Sequence, residues 1–333
     1  NKDEKRSPAS MTKIMTLLLT MEAIEKEVIT YDTIVTVSKR ASDMGGTQIF
    51  LEYGSNVDVL TLIKGISIAS ANDAAVALAE KIGGSLENFV NMMNEKAKEL
   101  GCTNTNFKNP HGLDEEEHYT TAYDLSLISR ELIKHKDILK FTSTYEDYIN
   151  VSGENHWLVN TNKLVRFYEG IDGLKTGYTN NAMYCLTATM KRNDMRLISI
   201  VMKEDTKENR NQDTINMMEY GFSQYGITTI LNNDEKIGSI NIDNSKNKIV
   251  DYYLEEDVNI ITTKGNKNID YKIDKEIFEV KAPLEKNTKI GKLVLTYNNN
   301  KYNYDLVVKD KIKKASFIDS LSYIFKNIIS GSN

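Results

Sequence analysis

The chain has 333 residues, 40% hydrophobic and 27% charged, which suits two domains with sizeable cores. Its formal net charge of -5, with no long basic block, argues against nucleic acid as a partner. Cys102 and Cys185 stand far apart and the four histidines are scattered, so no metal centre is expected and both thiols are read as free and buried.

The first six residues, Asn1 to Arg6, hold neither an initiator methionine nor an apolar signal segment, which implies removal of a segment upstream. Next comes Ser10-Met11-Thr12-Lys13. Pro8 suits the entrance to a helix, and Met11, Ile14, Leu17, Leu18 and Met21 recur at three-to-four spacing. Ser10 and Lys13 then share one helix face, where a desolvated lysine amine can take the serine proton. Taken alone, the pair reads more simply as a helix cap and a solvated side chain.

Residues 31 to 37 alternate like a strand, and 42 to 54 carry the glycines of a loop. Residues 57 to 81 are too densely apolar for one amphipathic stripe, which predicts two mostly buried helices broken near Ser70-Ala71-Asn72. Polar residues in such surroundings mark either a site or a helix cap supplied by Ser70, Asn72 or Asp73. A helix over 85 to 100 ends at Gly101. Asn109-Pro110-His111-Gly112-Leu113 is a turn, and Thr120 or Thr121 caps a helix running towards Lys136. Short strands are expected over 148 to 151, 156 to 159 and 164 to 168, then at Lys175-Thr176-Gly177, where a strand glycine marks close approach by a ligand or backbone. Residues 184 to 190 and 196 to 202 pair as a hairpin, and 211 to 225 form a helix.

Three motifs now stand in order: Ser10-x-x-Lys13, Ser70-x-Asn72 and Lys175-Thr176-Gly177. Each is weak and the ordered trio is specific. From about residue 3 to 225 the chain resembles the low-molecular-mass penicillin-binding proteins, the D-alanyl-D-alanine carboxypeptidases related to class A β-lactamases. The stretches around His111-Gly112-Leu113-Asp114 and from Gly170 to Thr179 strengthen the likeness. It implies an α/β (α+β) catalytic domain of the β-lactamase/transpeptidase kind over 1–227, an antiparallel sheet flanked by helices. Ser10 would be the nucleophile, Lys13 its base and Ser70 a proton relay to the leaving amine. Asn72 would bind the substrate amide, with Lys175 and Thr176 on its carboxylate. The N-H groups of Ser10 and Tyr178, beside Gly177, would form the oxyanion hole. Arg210 would face the carboxylate, and His111 would support the site. No cofactor is implied.

The resemblance has two departures. Relatives carry strands ahead of the Ser-x-x-Lys helix, and many have glycine where Met183 stands. A class A β-lactamase would show Ser-Asp-Asn and a Glu-bearing loop, which this chain lacks.

Strand candidates at 236 to 242, 258 to 262, 276 to 280, 289 to 297 and 302 to 308 make 228–310 a small β-rich domain without catalytic residues, a spacer or a stabilising module. In 311–333, a basic lead precedes Phe317, Ile318, Leu321, Ile324, Phe325, Ile328 and Ile329 at helical spacing. That segment is too short and polar to span a bilayer, and reads as an amphipathic helix lying on a membrane surface or packed on the β-rich domain. The expectation is a D-alanyl-D-alanine carboxypeptidase acting on peptidoglycan stem peptides outside the bacterial cytoplasmic membrane and acylated by β-lactam antibiotics. The alternatives are a β-lactamase-like hydrolase and an inactive wall-binding relative.

Overall fold

The structure, a computed structural model, describes residues 1–266, 268–316 and 319. The chain forms two compact units, Asn1–Ser223 and Gln224–Asn333. The first unit runs through a 3₁₀ turn (Ala9–Thr12), α1 (Lys13–Glu25), β1 (Ile34–Thr36), α2 (Lys39–Ser42), β2 (Asn56–Asp58), α3 (Val59–Lys64) and a π-helical turn (Gly65–Ala69). Then follow α4 (Asn72–Gly83), α5 (Leu86–Glu99), α6 (Ala122–Leu132), α7 (Ile138–Thr142), β3 (Glu146–Val151), β4 (Glu154–Val159), α8 (Leu164–Phe167), β5 (Ile171–Thr179), β6 (Met183–Arg192), β7 (Met195–Glu204) and α9 (Lys207–Gln224).

Helix α1 lies at the centre. Each of its residues from Lys13 to Met21 is buried, as expected for a helix without a polar face. Its hydroxyls are satisfied internally: Thr16 Oγ1 donates to the Pro110 carbonyl at 2.6 Å and Thr20 Oγ1 to the Thr16 carbonyl at 2.8 Å. Strands β5, β6 and β7 form an antiparallel sheet in that order. Alternation along β6 divides its side chains between two cores. Leu186, Ala188 and Met190 cluster with Met218 and Phe222 of α9. Cys185 joins the α1 core, and Thr187 Oγ1 lies 3.3 Å from Met11 Sδ in the 3₁₀ turn. Both cysteines are free and buried, as the sequence suggested.

Local signals account for most of the helix boundaries. Ser85 accepts the Asn88 N-H at the start of α5, and Thr121, rather than Thr120, caps α6 through the Asp124 N-H. One expectation is corrected: 164 to 168 is not a strand. Asn162 Oδ1 accepts the Leu164 N-H, and backbone bonds from Phe167 to Lys163 and from Tyr168 to Leu164 close a helical turn. The helix expected from residue 211 starts at Lys207 instead, and the chain is already in strand at Tyr225.

The second unit contains β8 (Tyr225–Leu231), β9 (Gly238–Asn241), β10 (Ile249–Leu254), β11 (Val258–Thr263), β12 (Lys272–Ile277), β13 (Lys289–Tyr297) and β14 (Asn300–Val307). A five-stranded sheet has the order β12-β13-β14-β10-β9, and β8 pairs with β11. Leu254, Val258, Ile290, Leu293, Leu295 and Leu306 fill its core. No strand was expected at β8 or β10, although Val250, Tyr252 and Leu254 do alternate inward along β10. The amphipathic helix expected from Phe317 onward lies, apart from Asp319, outside the described residues. Among those described, no helix is long and apolar enough to cross a membrane.

Candidate active site

The 3₁₀ turn that carries Ser10 is pressed between two glycines. Gly112 has a φ of +89°, and a side chain there would collide with the Ala9 carbonyl. A Cβ on Gly177 would stand 3.0 Å from the Pro8 carbonyl and 3.2 Å from the Ser10 nitrogen. Strand β5 can therefore lie directly against the serine backbone. Neither the 3₁₀ turn nor α1 has a side-chain cap, so Ser10 does not cap the helix. Its Oγ instead lies 3.0 Å from Lys13 Nζ.

Lys13 is completely buried. Its amine also donates to Asn72 Oδ1 at 2.6 Å and to the His111 carbonyl at 2.6 Å. Burial pushes its pKa well below the ordinary lysine value, Lys175 pushes it further the same way, and Asp73 partly opposes them. A neutral amine has two N-H groups and one lone pair. Two carbonyl-type acceptors take the N-H groups, which leaves the lone pair for the Ser10 hydroxyl. This is the geometry of an activated nucleophile.

The break expected near residue 70 is present. The π-helical turn ends at Ser70, which is buried in a left-handed conformation (φ 70°), and α4 starts at Asn72. Asn72 is bolted to the preceding loop: its N-H donates to the Thr47 carbonyl at 2.7 Å and its Nδ2 to the Gly45 carbonyl at 2.7 Å. None of the three cap candidates Ser70, Asn72 and Asp73 caps α4, whose N-cap is Ala71 without a side-chain cap; the Asp73 carboxylate instead accepts the N-H groups of Ala74 and, in that loop, of Ile49 and Leu51.

On β5, Lys175 is buried and its pKa falls to about 7, first through burial and then through the charge of Arg210. Thr176 Oγ1 donates to Thr161 Oγ1 at 2.7 Å. Tyr178 is exposed, its ring against Tyr184 with centroids 4.6 Å apart. Arg210, buried at the start of α9, donates from Nε and Nη2 to Asn211 Oδ1. Met183 takes a φ of 55°, a conformation that explains glycine at such a position. It pairs with Thr179, four residues along β5 from Lys175.

Three contacts near Ser10 were not foreseen in the sequence. Asp114 Oδ1 accepts the Ser7 hydroxyl at 2.9 Å and the Thr179 hydroxyl at 2.9 Å. It thus ties the lead into the nucleophile turn to the end of β5. Asp114→Ala is expected to slow acylation of Ser10 about tenfold through loss of these charged hydrogen bonds, with Asp114→Asn retaining most of the rate in stopped-flow assays. His118 accepts the Lys108 N-H at Nδ1, so its Nε2 carries the proton and donates to Thr12 Oγ1 at 2.8 Å. The third is the His111 carbonyl: this residue was expected to support the site, and its backbone oxygen holds Lys13.

Burial lowers the His118 pKa to about 4, and burial with the nearby Lys13 charge lowers that of His111 to about 3. Both stay neutral in the fold while the unfolded chain takes up protons below about 6.5. Stability is therefore full above that pH and falls as pH drops towards 4, by on the order of 1 kcal/mol per pH unit per histidine. Thermal melts between pH 7 and 4.5 should show the decline, and His118→Gln should flatten part of it.

A family model for D-alanyl-D-alanine carboxypeptidase, peptidase S11, matches residues 1–206. The chain belongs to this family. A model of the penicillin-binding protein 5 C-terminal domain matches residues 225–314. D-alanyl-D-alanine carboxypeptidase DacF of Bacillus subtilis is 44% identical over 324 residues, 96% of this chain and 83% of that one. A solved family-like structure, the peptidoglycan synthesis regulatory factor PBP3 of Streptococcus pneumoniae, has a TM-score of 0.80 at 27% identity and covers 94% of both chains. Penicillin-binding protein D2 of Listeria monocytogenes, solved in its cefotaxime-bound form, has a TM-score of 0.61 at 32% identity, covering 67% of this chain and 90% of that one. The α/β catalytic unit followed by a β-rich unit is the architecture of the penicillin-binding protein 5-like carboxypeptidases.

Proposed function

We propose that Ser10, Lys13 and Ser70 carry out the D-alanyl-D-alanine carboxypeptidase reaction that belongs to this family. The observation that carries the assignment is the buried Lys13 amine, 3.0 Å from Ser10 Oγ and held by Asn72 Oδ1 and the His111 carbonyl, each at 2.6 Å. Ser10 Oγ attacks the carbonyl carbon between the two terminal D-alanines and its proton passes to Lys13. The oxyanion is held by the N-H groups of Ser10 and Tyr178, a role supported by the close approach of β5 to the serine turn. The C-N bond breaks as the leaving amine takes a proton through Ser70, and D-alanine departs. Water then hydrolyses the ester and frees Ser10.

Asn72 binds the substrate amide, while Lys175, Thr176 and Arg210 supply the hydroxyl and positive charge for its carboxylate. Gly177 contributes by its lack of a side chain and His111 through its carbonyl. A β-lactam places its own strained amide at the same carbonyl position and acylates Ser10. The enzyme works on peptidoglycan stem peptides outside the cytoplasmic membrane, held to the membrane surface by 311–333. The basic lead and apolar spacing of that segment in the sequence support this attachment.

Release of D-alanine from a stem pentapeptide, with mass spectrometry after incubation with penicillin, tests the reading. A stable adduct on Ser10 with D-alanine release supports it. Rapid turnover of the drug would favour a β-lactamase-like hydrolase, and neither product nor adduct an inactive wall-binding relative.

A further inference from the structure

Phe50 behaves unlike the rest of its loop. Ile49 and Leu51 on either side are 1% and 2% exposed, whereas Phe50 is 68% exposed and holds a left-handed φ of 59°. Both features cost stability: a phenylalanine ring left in water forgoes burial, and a side chain at positive φ crowds its own backbone. Yet the loop is firmly held. The buried Asp73 carboxylate accepts the N-H of Ile49 at 3.1 and 3.2 Å and that of Leu51 at 3.1 Å. With its two neighbours pinned inward by one carboxylate, Phe50 is turned out. Strain that the surroundings enforce in this way is a mark of function rather than of packing.

Its location says which function. The same loop gives its Gly45 and Thr47 carbonyls to Asn72, which in turn holds Lys13. Asp73, which presents Phe50, is the residue after Asn72. On the other side, the Phe50 ring stacks on His156 of β4, with centroids 6.5 Å apart and planes at 28°. Strand β4 leads into Thr161, whose N-H donates to the Ile68 carbonyl and whose hydroxyl accepts the bond from Thr176. Phe50 and His156 therefore stand on the two segments that run into Asn72 and Thr176.

We propose that Phe50, backed by His156, is a specificity-determining wall that packs against the side chain of the stem-peptide residue preceding the two D-alanines. This rests on the carboxypeptidase reading of the site. The chemistry of the wall is apolar and flat. It fits the methylene stem of a diamino acid, whose amine can remain in water beyond the ring.

The test compares two substrates, L-Ala-γ-D-Glu-L-Lys-D-Ala-D-Ala and N-acetyl-D-Ala-D-Ala, which lacks the residue in question. In Phe50→Ala the ratio of the two kcat/KM values is expected to fall roughly tenfold, mainly through KM for the pentapeptide. Phe50→Trp, which keeps a flat ring, should hold the ratio. Phe50→Gly should lose the ratio as Phe50→Ala does while melting no lower than the parent, since glycine accepts the backbone conformation. A ratio within about twofold of the parent in Phe50→Ala, less than burying such a ring is worth, would overturn the proposal. So would a Phe50→Gly protein that melts lower and slows equally on both substrates. A parent protein that releases D-alanine from neither substrate overturns the reading of the site itself, and the wall with it.

Discussion

Ser10→Ala is expected to release D-alanine from a stem pentapeptide on the order of 10⁴-fold more slowly than the parent, and to take up no penicillin. The variant should fold normally, because Ser10 is only half-buried and its side chain is hydrogen-bonded to Lys13, which keeps its bonds to Asn72 and the His111 carbonyl. Lys13→Gln is expected to slow acylation on the order of 10³-fold, since a neutral amide offers no base. It also lowers the melting temperature, because the side chain at this buried position bridges three separate segments. On the proposed mechanism serine and lysine act as one unit, so the double variant should be no slower than Ser10→Ala alone. A penicillin adduct that persists in Ser10→Ala would sink the mechanism.

Lys175 sets the second large effect. In the free enzyme it titrates at about 7, so it is charged below that pH and neutral above it. In the proposed role it acts as a cation towards the substrate carboxylate, and kcat/KM should therefore fall on the alkaline side, with a limb near that value. Lys13 works in the opposite sense in the proposed mechanism, being needed neutral, a form that its burial favours. Lys175→Gln should lower kcat/KM on the order of a hundredfold or more and abolish the alkaline limb. Lys175→Arg keeps its charge at every working pH, so its alkaline limb should move upward by more than about one unit. An unchanged pH profile in Lys175→Arg would remove Lys175 from the carboxylate site.

The residues proposed for the chemistry were readable because chemistry constrains spacing along the chain. Ser10 and Lys13 lie one turn apart, the break at Ser70 to Asn72 interrupts an apolar run, and Gly177 sits where only a bare backbone fits against the serine turn. Partners chosen by the fold were not readable. Asp114 meets Thr179 across 65 residues and His118 meets Thr12 across 106. No periodicity joins such pairs. Local pattern also failed where a side chain overrode it: 164 to 168 has the composition of a strand, but Asn162 starts a helical turn there. Tyr225–Leu231 was hidden by the helix before it, because a run of apolar residues at a boundary satisfies either period.

The three atoms around Lys13 Nζ come from residues 10, 72 and 111, which only the finished fold brings together. In an unfolded chain Lys13 is an ordinary ammonium group and Ser10 an unreactive alcohol. On the proposed mechanism chemical reactivity thus requires all three segments in place, and a nascent chain carries its nucleophile disarmed. Covalent labelling by a β-lactam therefore counts completed molecules, so the labelled fraction during refolding should rise with native packing and not with helix content.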